Sequence, residues 1–532
     1  MKKNLIIIMA DQQRKDYLGC YGNSYVQTPQ IDLLAESGVQ FENCFVNNPI
    51  CMPNRLSIFT GRYPSNHGMW TNGLMLPHML PTIADLLKDN GYTTCNIGKM
   101  HFEPTDCGGS APIVSREDHR YWQHVGDDID WYGPYWGFDH VELTVGHATR
   151  PIAHYGKWFH ENGGTDDMAK AKNIEGFEFC PVTSMPERLH DSMFIGERSA
   201  NYIKEHAESE DPFFLVASFP DPHHPFNPPY ELAKKYKDTP VKMPVNEKDS
   251  LETRPKHYKQ QQLGIWHRAG ILQETQDMTQ EERTQVQKNH SVISEFMDTE
   301  ILEGLGLLTS GGSARKLDDK IVSEKERNQR IRNTYAMVDL IDRGIGKIID
   351  ALKETGELEN TVIVVTADHG ELMGDHGLWL KGPFFYDGLI NVPLIICAPG
   401  VKPANVQALV SSIDIFPTCC ELLGIDAPKA YDGVSQVSAL HGGNPRESCM
   451  IEYRNGYFDR DVNTMVYIDD QYKFVQYQNG DYELTNRIND PEENMNIAYN
   501  GKNAELVAKY RAKMLMMVLD SGTRFPNQMS HA

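Results

Sequence analysis

Thr361-Val362-Ile363-Val364-Val365-Thr366, followed after one alanine by Asp368-His369, is a continuous, largely β-branched run that stops at a carboxylate and an imidazole. A strand with no polar face suits the interior of a parallel sheet covered on both sides. The same design recurs where Leu5-Ile6-Ile7-Ile8-Met9 stops before Asp11, and where Phe213-Phe214-Leu215-Val216-Ala217 stops before Asp221-Pro222-His223-His224. Pro393-Leu394-Ile395-Ile396 is a fourth run. Between them the apolar spacing predicts helices from Ile31 to Ser37, Thr82 to Asn90, Ser192 to His206 and Ile331 to Thr355, the last with Val338, Ile341, Ile345, Ile348 and Ile349. Strands alternating with helices predict an α/β fold built on a large, mainly parallel sheet flanked by helices. Ligands in such folds bind beyond the carboxyl ends of the strands. Three of these strand ends carry Asp or His, which points to one shared site.

Two stretches interrupt the alternation. Residues about 104–190, rich in Gly, Trp, Tyr and His, and about 240–325, polar and highly charged, read as insertions that form pocket walls or oligomer contacts, so a homo-oligomer is an open expectation. Beyond about 430, Met465-Val466-Tyr467, Tyr472-Lys473-Phe474-Val475-Gln476-Tyr477 and Tyr482-Glu483-Leu484, with a turn at Asn479-Gly480, predict a hairpin. A helix from about Ala504 to Leu519 follows. The expected organisation is an α/β domain over 1–430 carrying both insertions and a smaller α+β domain with a short antiparallel sheet over 431–532. That division suits a chain of 532 residues, too long for one growing core.

The formal charge of −22, from 73 acidic and 51 basic side chains, repels polyanions at long range and excludes nucleic acid as the natural partner. A small anionic substrate therefore needs a local cluster of Lys, Arg and His. Lys2-Lys3 before Leu5–Ala10 imitates a secretory signal, but the apolar run is short and ends at Asp11. No segment reaches the roughly 18 apolar residues that span a bilayer, so a cytoplasmic protein with no membrane partner is expected. The ten cysteines form no Cys-x-x-Cys pair, which predicts buried thiols rather than a zinc knuckle or disulfide framework. The aromatic run Trp131-Tyr132-Gly133-Pro134-Tyr135-Trp136 is expected to pack a loop onto the body, and the charged run from Asp318 to Arg332 to form a solvated helix face.

The chemistry concentrates in Cys51-Met52-Pro53-Asn54-Arg55-Leu56-Ser57-Ile58-Phe59-Thr60-Gly61-Arg62. On the residues alone, a Cys before an apolar helical run, with Arg55 a turn later, fits either a thiolate activated at a helix N-terminus or a buried Cys at a loop-to-helix junction. Asp11 and Asp368 fit either metal ligands or helix N-caps. The stretch resembles the signature of the formylglycine-dependent sulfatases of the alkaline phosphatase superfamily, Cys-x-Pro-x-Arg followed by Thr-Gly-Arg, with Asn54 where that family commonly has Ser. The resemblance implies that Cys51 is oxidised to formylglycine (3-oxoalanine) by a partner, a formylglycine-generating or an anaerobic sulfatase-maturating enzyme. The hydrated aldehyde carries two hydroxyls on one carbon. One attacks sulfur, and deprotonation of the other expels sulfate by elimination, which a plain Ser cannot do.

The same resemblance implies one divalent metal held by Asp11, Gln12, Asp368, His369 and the modified Cys51. Many members carry Asp at the position of Gln12 and Asn at that of His369. Two carboxylates, an amide oxygen and an imidazole put calcium first and leave manganese, magnesium and zinc open. Gly98-Lys99-Met100-His101 resembles the family element in which Lys holds the nucleophile and a sulfate oxygen while His contacts the diol. Pro222-His223-His224-Pro225-Phe226 resembles the element whose first His sits near the leaving-group oxygen, and Lys381 stands where a second sulfate-binding Lys is placed. The implied catalytic set is Cys51, Arg55, Lys99, His101, His223 and Lys381, with Asn72, Lys99, His223 and Lys381 binding a small sulfate ester. Tyr482-Glu483-Leu484 with Asp490-Pro491-Glu492-Glu493-Asn494 looks like the family's closing hairpin.

The nearest rival function is hydrolysis of phosphonate monoesters or phosphodiesters, since those relatives share Asp-Gln, Asp-His and the modified Cys. They tend to carry Tyr or Thr where this chain has Lys99 and His101, which favours a sulfate monoester, whether aryl, sugar or other alkyl. An inactive binding protein on the same fold is expected to have lost Cys51 or a metal Asp, and all are present.

Overall fold

Strand β1 (Asn4–Ala10) lies between β5 (Phe213–Phe219) and β6 (Thr361–Ala367) and runs parallel to both, so three of the apolar runs are immediate neighbours. The structure, a computed structural model, describes residues 2–76, 78, 80–105, 115–146, 149–262, 322–428, 430–454 and 462–523. With β2 (Val39–Phe45), β3 (Thr93–Gly98), β4 (His140–Leu143), β7 (Asn391–Cys397) and β8 (Ala404–Ser411) they form an eight-stranded sheet in the order β8-β2-β7-β6-β1-β5-β3-β4. The fourth apolar run, in β7, is antiparallel to both β2 and β6, and every other pairing is parallel. The segment between β6 and β7 stays at the carboxyl end of β6, so the chain re-enters the sheet from that end and must run back. The sequence shows burial of that run but not its direction.

Alternate side chains of β1 feed two cores. Leu5, Ile7 and Met9 pack with Met52, Leu56 and Phe59 of helix α2 (Cys51–Thr60), which follows α1 (Pro29–Ser37) in the chain. Ile6 and Ile8 pack on the opposite face with α3 (Asp191–His206) and α4 (Glu324–Thr355). These two helices approach where a Cβ on Gly196 would lie 2.5 Å from the Gly344 carbonyl oxygen, a separation only glycine permits. The Ser323 hydroxyl caps α4, and Gly356 ends it with φ of 75°.

The expected hairpin is part of a four-stranded antiparallel sheet of β9 (Cys449–Tyr453), β10 (Thr464–Ile468), β11 (Tyr472–Tyr477) and β12 (Tyr482–Asn486), with Gly480 at φ 96° in the turn. Helix α5 (Ala504–Thr523) covers it, burying Val507, Tyr510 and Met514 against Tyr467, Phe474 and Leu484. At the other side β9 is tied to the segment just before Cys51: Glu452 N donates to Asn47 O at 2.8 Å, and Asn48 Nδ2 to Glu452 O at 2.7 Å.

Of the stretch about 240–325, residues 263–321 lie outside the described residues, as does Cys107. The aromatic run packs a loop onto the body as expected, with Trp136 edge-on to Phe102 at 5.5 Å. The described part of the charged run from Asp318 to Arg332 leads into and forms the first turns of α4, and it is corrected at one charged position: Arg327 is buried and paired with Glu247 at 2.6 Å rather than facing solvent. The described cysteines are free thiols. Among the described residues no helix is long and apolar enough to cross a membrane.

Candidate active site

The carboxyl ends of β6, β1, β5 and β3 are adjacent in the sheet, and in that order they deliver Asp368-His369, Asp11-Gln12, His223, and Lys99 with His101. Cys51 is the first residue of α2 and is only 1% exposed. Helix entry at Ile50 has no side-chain cap, and the half-buried Asn72 accepts from Met52 N at 3.1 Å. The structure thus brings the predicted residues together, with Asn72 against the backbone beside the nucleophile.

Asp11, Cys51, Asp368 and His369 are all buried and offer donor atoms within 4.8 Å of one another. His369 Nδ1 donates to Gly370 O at 2.8 Å, which points Nε2 at Cys51 Sγ, 3.2 Å away, and at Asp11 Oδ1, 3.5 Å away. Asp368 is held by Arg55 Nε on Oδ2 at 2.7 Å, and by Gln12 N at 3.1 Å and His369 N at 2.9 Å on Oδ1. Asp11 Oδ1 and Gln12 Oε1 are buried without a hydrogen-bond donor among the described residues. Buried acceptors left without donors are costly unless a cation meets them, so the donor set fits a divalent metal.

Positive charge surrounds this cluster. Lys381 Nζ donates to Cys51 Sγ at 2.7 Å and lies 3.0 Å from both His223 Nε2 and His369 Nε2. Lys99 Nζ is ion-paired with Asp11 Oδ2. Burial pushes the Asp11 carboxyl up, but Lys99, with His223 and Lys381, holds it well below the usual carboxylate range. Burial and Asp11 push the Cys51 thiol up, yet Lys381, His369 and Lys99 outweigh them and leave it below its ordinary value. The pocket therefore stabilises an anion at position 51 inside an acidic protein.

His101 sits at φ 57°, and burial together with Lys99 holds its imidazole well below its ordinary pKa, leaving it neutral. Its backbone is clamped by Glu117, whose buried carboxylate accepts from His101 N, from Phe102 N at 2.8 Å and from Glu103 N at 3.0 Å. His223 Nδ1 donates to His224 O at 2.6 Å, which turns Nε2 toward Lys381.

Residues 3–425 match the sulfatase family. The chain belongs to that family. Residues 374–519 also match the C-terminal region of N-sulphoglucosamine sulphohydrolase. This sulfatase is 27% identical to an arylsulfatase of Clostridium perfringens, over 98% of the chain and 95% of the relative. It is 25% identical to an N-acetylglucosamine-6-O-sulfatase of Bacteroides thetaiotaomicron, over 97% and 86%. Its fold matches the crystal structure of the phosphonate monoester hydrolase of Agrobacterium radiobacter with a TM-score of 0.71 at 24% identity, over 98% of this chain and 96% of that one. Family membership makes the protein a sulfuric ester hydrolase.

Three supporting residues of this sulfatase escape a reading of the sequence. Asn54 takes both sides of a bridge, its Nδ2 donating to Asp368 O at 2.5 Å and its Oδ1 accepting from Asn47 N at 2.7 Å. Glu117 lies in an insertion that carries no motif. Glu371 closes Asp368-His369-Gly370-Glu371, and an acidic residue so near a strand end was the one available signal.

Proposed function

We propose that this sulfatase hydrolyses sulfate monoesters of aryl, sugar or other alkyl alcohols, using formylglycine made from Cys51 and one divalent cation held by Asp11, Gln12, Asp368, His369 and the modified residue. The observation that carries this reading is the convergence of Lys381 and His369 on Cys51 Sγ, beside Asp11 Oδ1 and Gln12 Oε1, which are buried without a hydrogen-bond donor among the described residues. Calcium is the first candidate, with manganese, magnesium and zinc as alternatives. A cation there supplies Lewis-acid stabilisation to the nucleophile and to the charge on the sulfate oxygens.

The chain's own groups do the rest. Lys99 and Lys381 hold the sulfate, and Asn72 lines the entry beside Met52 N. One hydroxyl of the hydrated formylglycine forms a bond to sulfur as the S–O bond to the alcohol breaks, and His223, with Lys381 beside it, gives the departing oxygen its proton. His101, neutral through burial, then takes the proton of the second hydroxyl. The C–O bond to sulfate breaks, the aldehyde returns, and water rehydrates it. Because Cys51 is 1% exposed, the maturation enzyme must act before the chain closes around it.

Gln12 and His369 also suit phosphonate monoesters or phosphodiesters, the second reading, whereas Lys99 and His101 favour sulfate. The test is the mass of the Cys51 peptide from the native host, paired with rates on a panel of sulfate esters and one phosphonate monoester. Formylglycine at position 51 with sulfate esters turned over fastest is expected. An unmodified thiol in active enzyme would overturn the mechanism, and a preference for the phosphonate would establish the second reading.

A further inference from the structure

Glu371 is buried and lies beyond the donor set, yet it touches both halves of the site. Its Oε2 accepts from Gln12 Nε2 at 2.5 Å. Its Oε1 accepts from Met373 N at 3.1 Å and from Leu380 N, and Leu380 stands at φ 63° immediately before Lys381. The loop that carries Glu371 is itself pinned by Arg14, whose NH1 donates to the carbonyls of Glu371 at 2.7 Å and Leu372 at 3.0 Å and to Asp375 Oδ2 at 2.7 Å.

A primary amide has a donor end and an acceptor end of nearly the same shape, and only its hydrogen-bond partners decide which way it faces. With Oε1 accepting from Met373 N and Leu380 N and Oε2 from Gln12 Nε2, both oxygens of Glu371 meet N–H donors, and the group acts as an acceptor only. Facing Glu371, Gln12 must therefore present its N–H₂ to that residue and turn Oε1 away, and Oε1 is buried without a donor among the described residues. We infer that Glu371 is the positioning residue of the metal site: its acceptor-only carboxylate fixes Gln12 with the amide oxygen toward the cation, while its second oxygen fixes the backbone that aims Lys381 at Cys51. This rests on the metal-dependent reading above and deepens it. It also accounts for an amide among the ligands, since a carboxylate at position 12 would face a second carboxylate across the same contact.

Glu371→Gln removes the constraint with little change in shape. A carboxamide at 371 offers N–H as well as oxygen, so Gln12 is free to turn over and present N–H to the cation. Carboxylates that orient metal ligands typically matter on the order of 10–100-fold in metal affinity. The experiment titrates calcium and, separately, manganese into metal-stripped full-length protein by calorimetry, for the wild type, Glu371→Gln, Gln12→Glu and the double variant Gln12→Glu/Glu371→Gln. The double variant rebuilds the hydrogen bond with donor and acceptor exchanged. Glu371→Gln should bind the ion about 10–100-fold more weakly and raise KM for a sulfate ester more than it lowers kcat at saturating metal, and the double variant should recover the affinity. Wild-type affinity and KM in Glu371→Gln would overturn the inference, as would a double variant no better than Glu371→Gln. Thermal unfolding of the same proteins detects a variant that has merely lost its fold. A wild-type protein that binds neither ion would instead count against the metal-dependent reading itself.

Discussion

Arg55 Nε donates to Asp368 Oδ2 at 2.7 Å with both side chains buried. The same guanidinium donates through NH1 to Lys99 O and Ser218 Oγ, each at 2.9 Å, so one side chain joins the ends of β6, β3 and β5. The spacing explains itself: residues four apart share a helix face, so Arg55 lies below Cys51 on α2 and anchors that helix to the Asp368 carboxylate. Asn54 adds the second anchor through the Asp368 carbonyl.

Arg55→Ala should destabilise the fold by about 3–5 kcal/mol, because it leaves Asp368 buried without its partner. Urea unfolding measures it. Arg55→Lys should recover part of the stability but little activity, since an ammonium cannot reach three acceptors in the guanidinium's fixed plane. A wild-type unfolding midpoint for Arg55→Ala would show that the pair is not anchoring the helix.

Cys51→Ala should abolish turnover with the unfolding midpoint close to wild type, as the proposed mechanism draws its nucleophile from this thiol, which fills little volume. Cys51→Ser should retain at most a trace, because one hydroxyl cannot release sulfate by elimination. Multiple-turnover assays decide the matter, and near-wild-type activity from either variant would refute the formylglycine mechanism.

Asp11→Asn and Asp368→Asn should each lose metal affinity and activity together, and chelation followed by re-addition of metal should inactivate and then restore the wild type. Inductively coupled plasma analysis alongside activity provides the check. Full activity from a metal-free preparation would contradict the assignment.

Much of this was legible in the chain because both signals are local. Buried strands of β1, β5 and β6 read as unbroken apolar runs, and each ends in the side chain it delivers. Strand β2, Val39-Gln40-Phe41-Glu42-Asn43-Cys44-Phe45, did not read as such, because its place in the sheet is set by tertiary pairing with β7 and β8 rather than by its own pattern. The reversed direction of β7 was hidden for the same reason: burial is written in composition, direction in the connection. The candidate donor residues were visible in the sequence, but their orientation was not. Glu117 and Glu371 act through backbone N–H groups and an amide brought near only by folding.

Glu117 should give the enzyme an acidic limb. Burial, with Glu103 beside it, raises its carboxyl to about 7, and Tyr135 also faces it at 3.3 Å. The clamp on residues 101–103 needs the ionised form, so kcat/KM should fall as pH drops through about 7. His101 itself titrates well below its ordinary value and cannot be the source. Glu117→Gln should lower kcat on the order of 10²-fold through misplacement of His101 and should flatten this limb. A pH profile from 5 to 9 reads both effects, roughly spanning the range in which the limb must appear, and an unchanged limb in Glu117→Gln would assign it elsewhere.

His223 and His101 should separate by leaving group. Cleavage of a sulfate ester leaves an alkoxide whose need for a proton grows as the alcohol becomes a poorer leaving group, so general acid catalysis matters most for alkyl and sugar sulfates and least for a nitrophenyl sulfate. His223, with Nδ1 tied to the His224 carbonyl and Nε2 beside Lys381, is the donor proposed for that path. Release of sulfate comes later and needs a base whatever alcohol has already gone, which is the place of the neutral His101. His223→Ala should therefore cost ~10²–10⁴-fold with an alkyl sulfate and far less with nitrophenyl sulfate. His101→Ala should slow both alike and accumulate a covalent sulfate hemiester, visible as added mass on the Cys51 peptide. Rates across a graded series of leaving groups distinguish the two, and equal leaving-group slopes for the wild type and His223→Ala would remove His223 from the proton path.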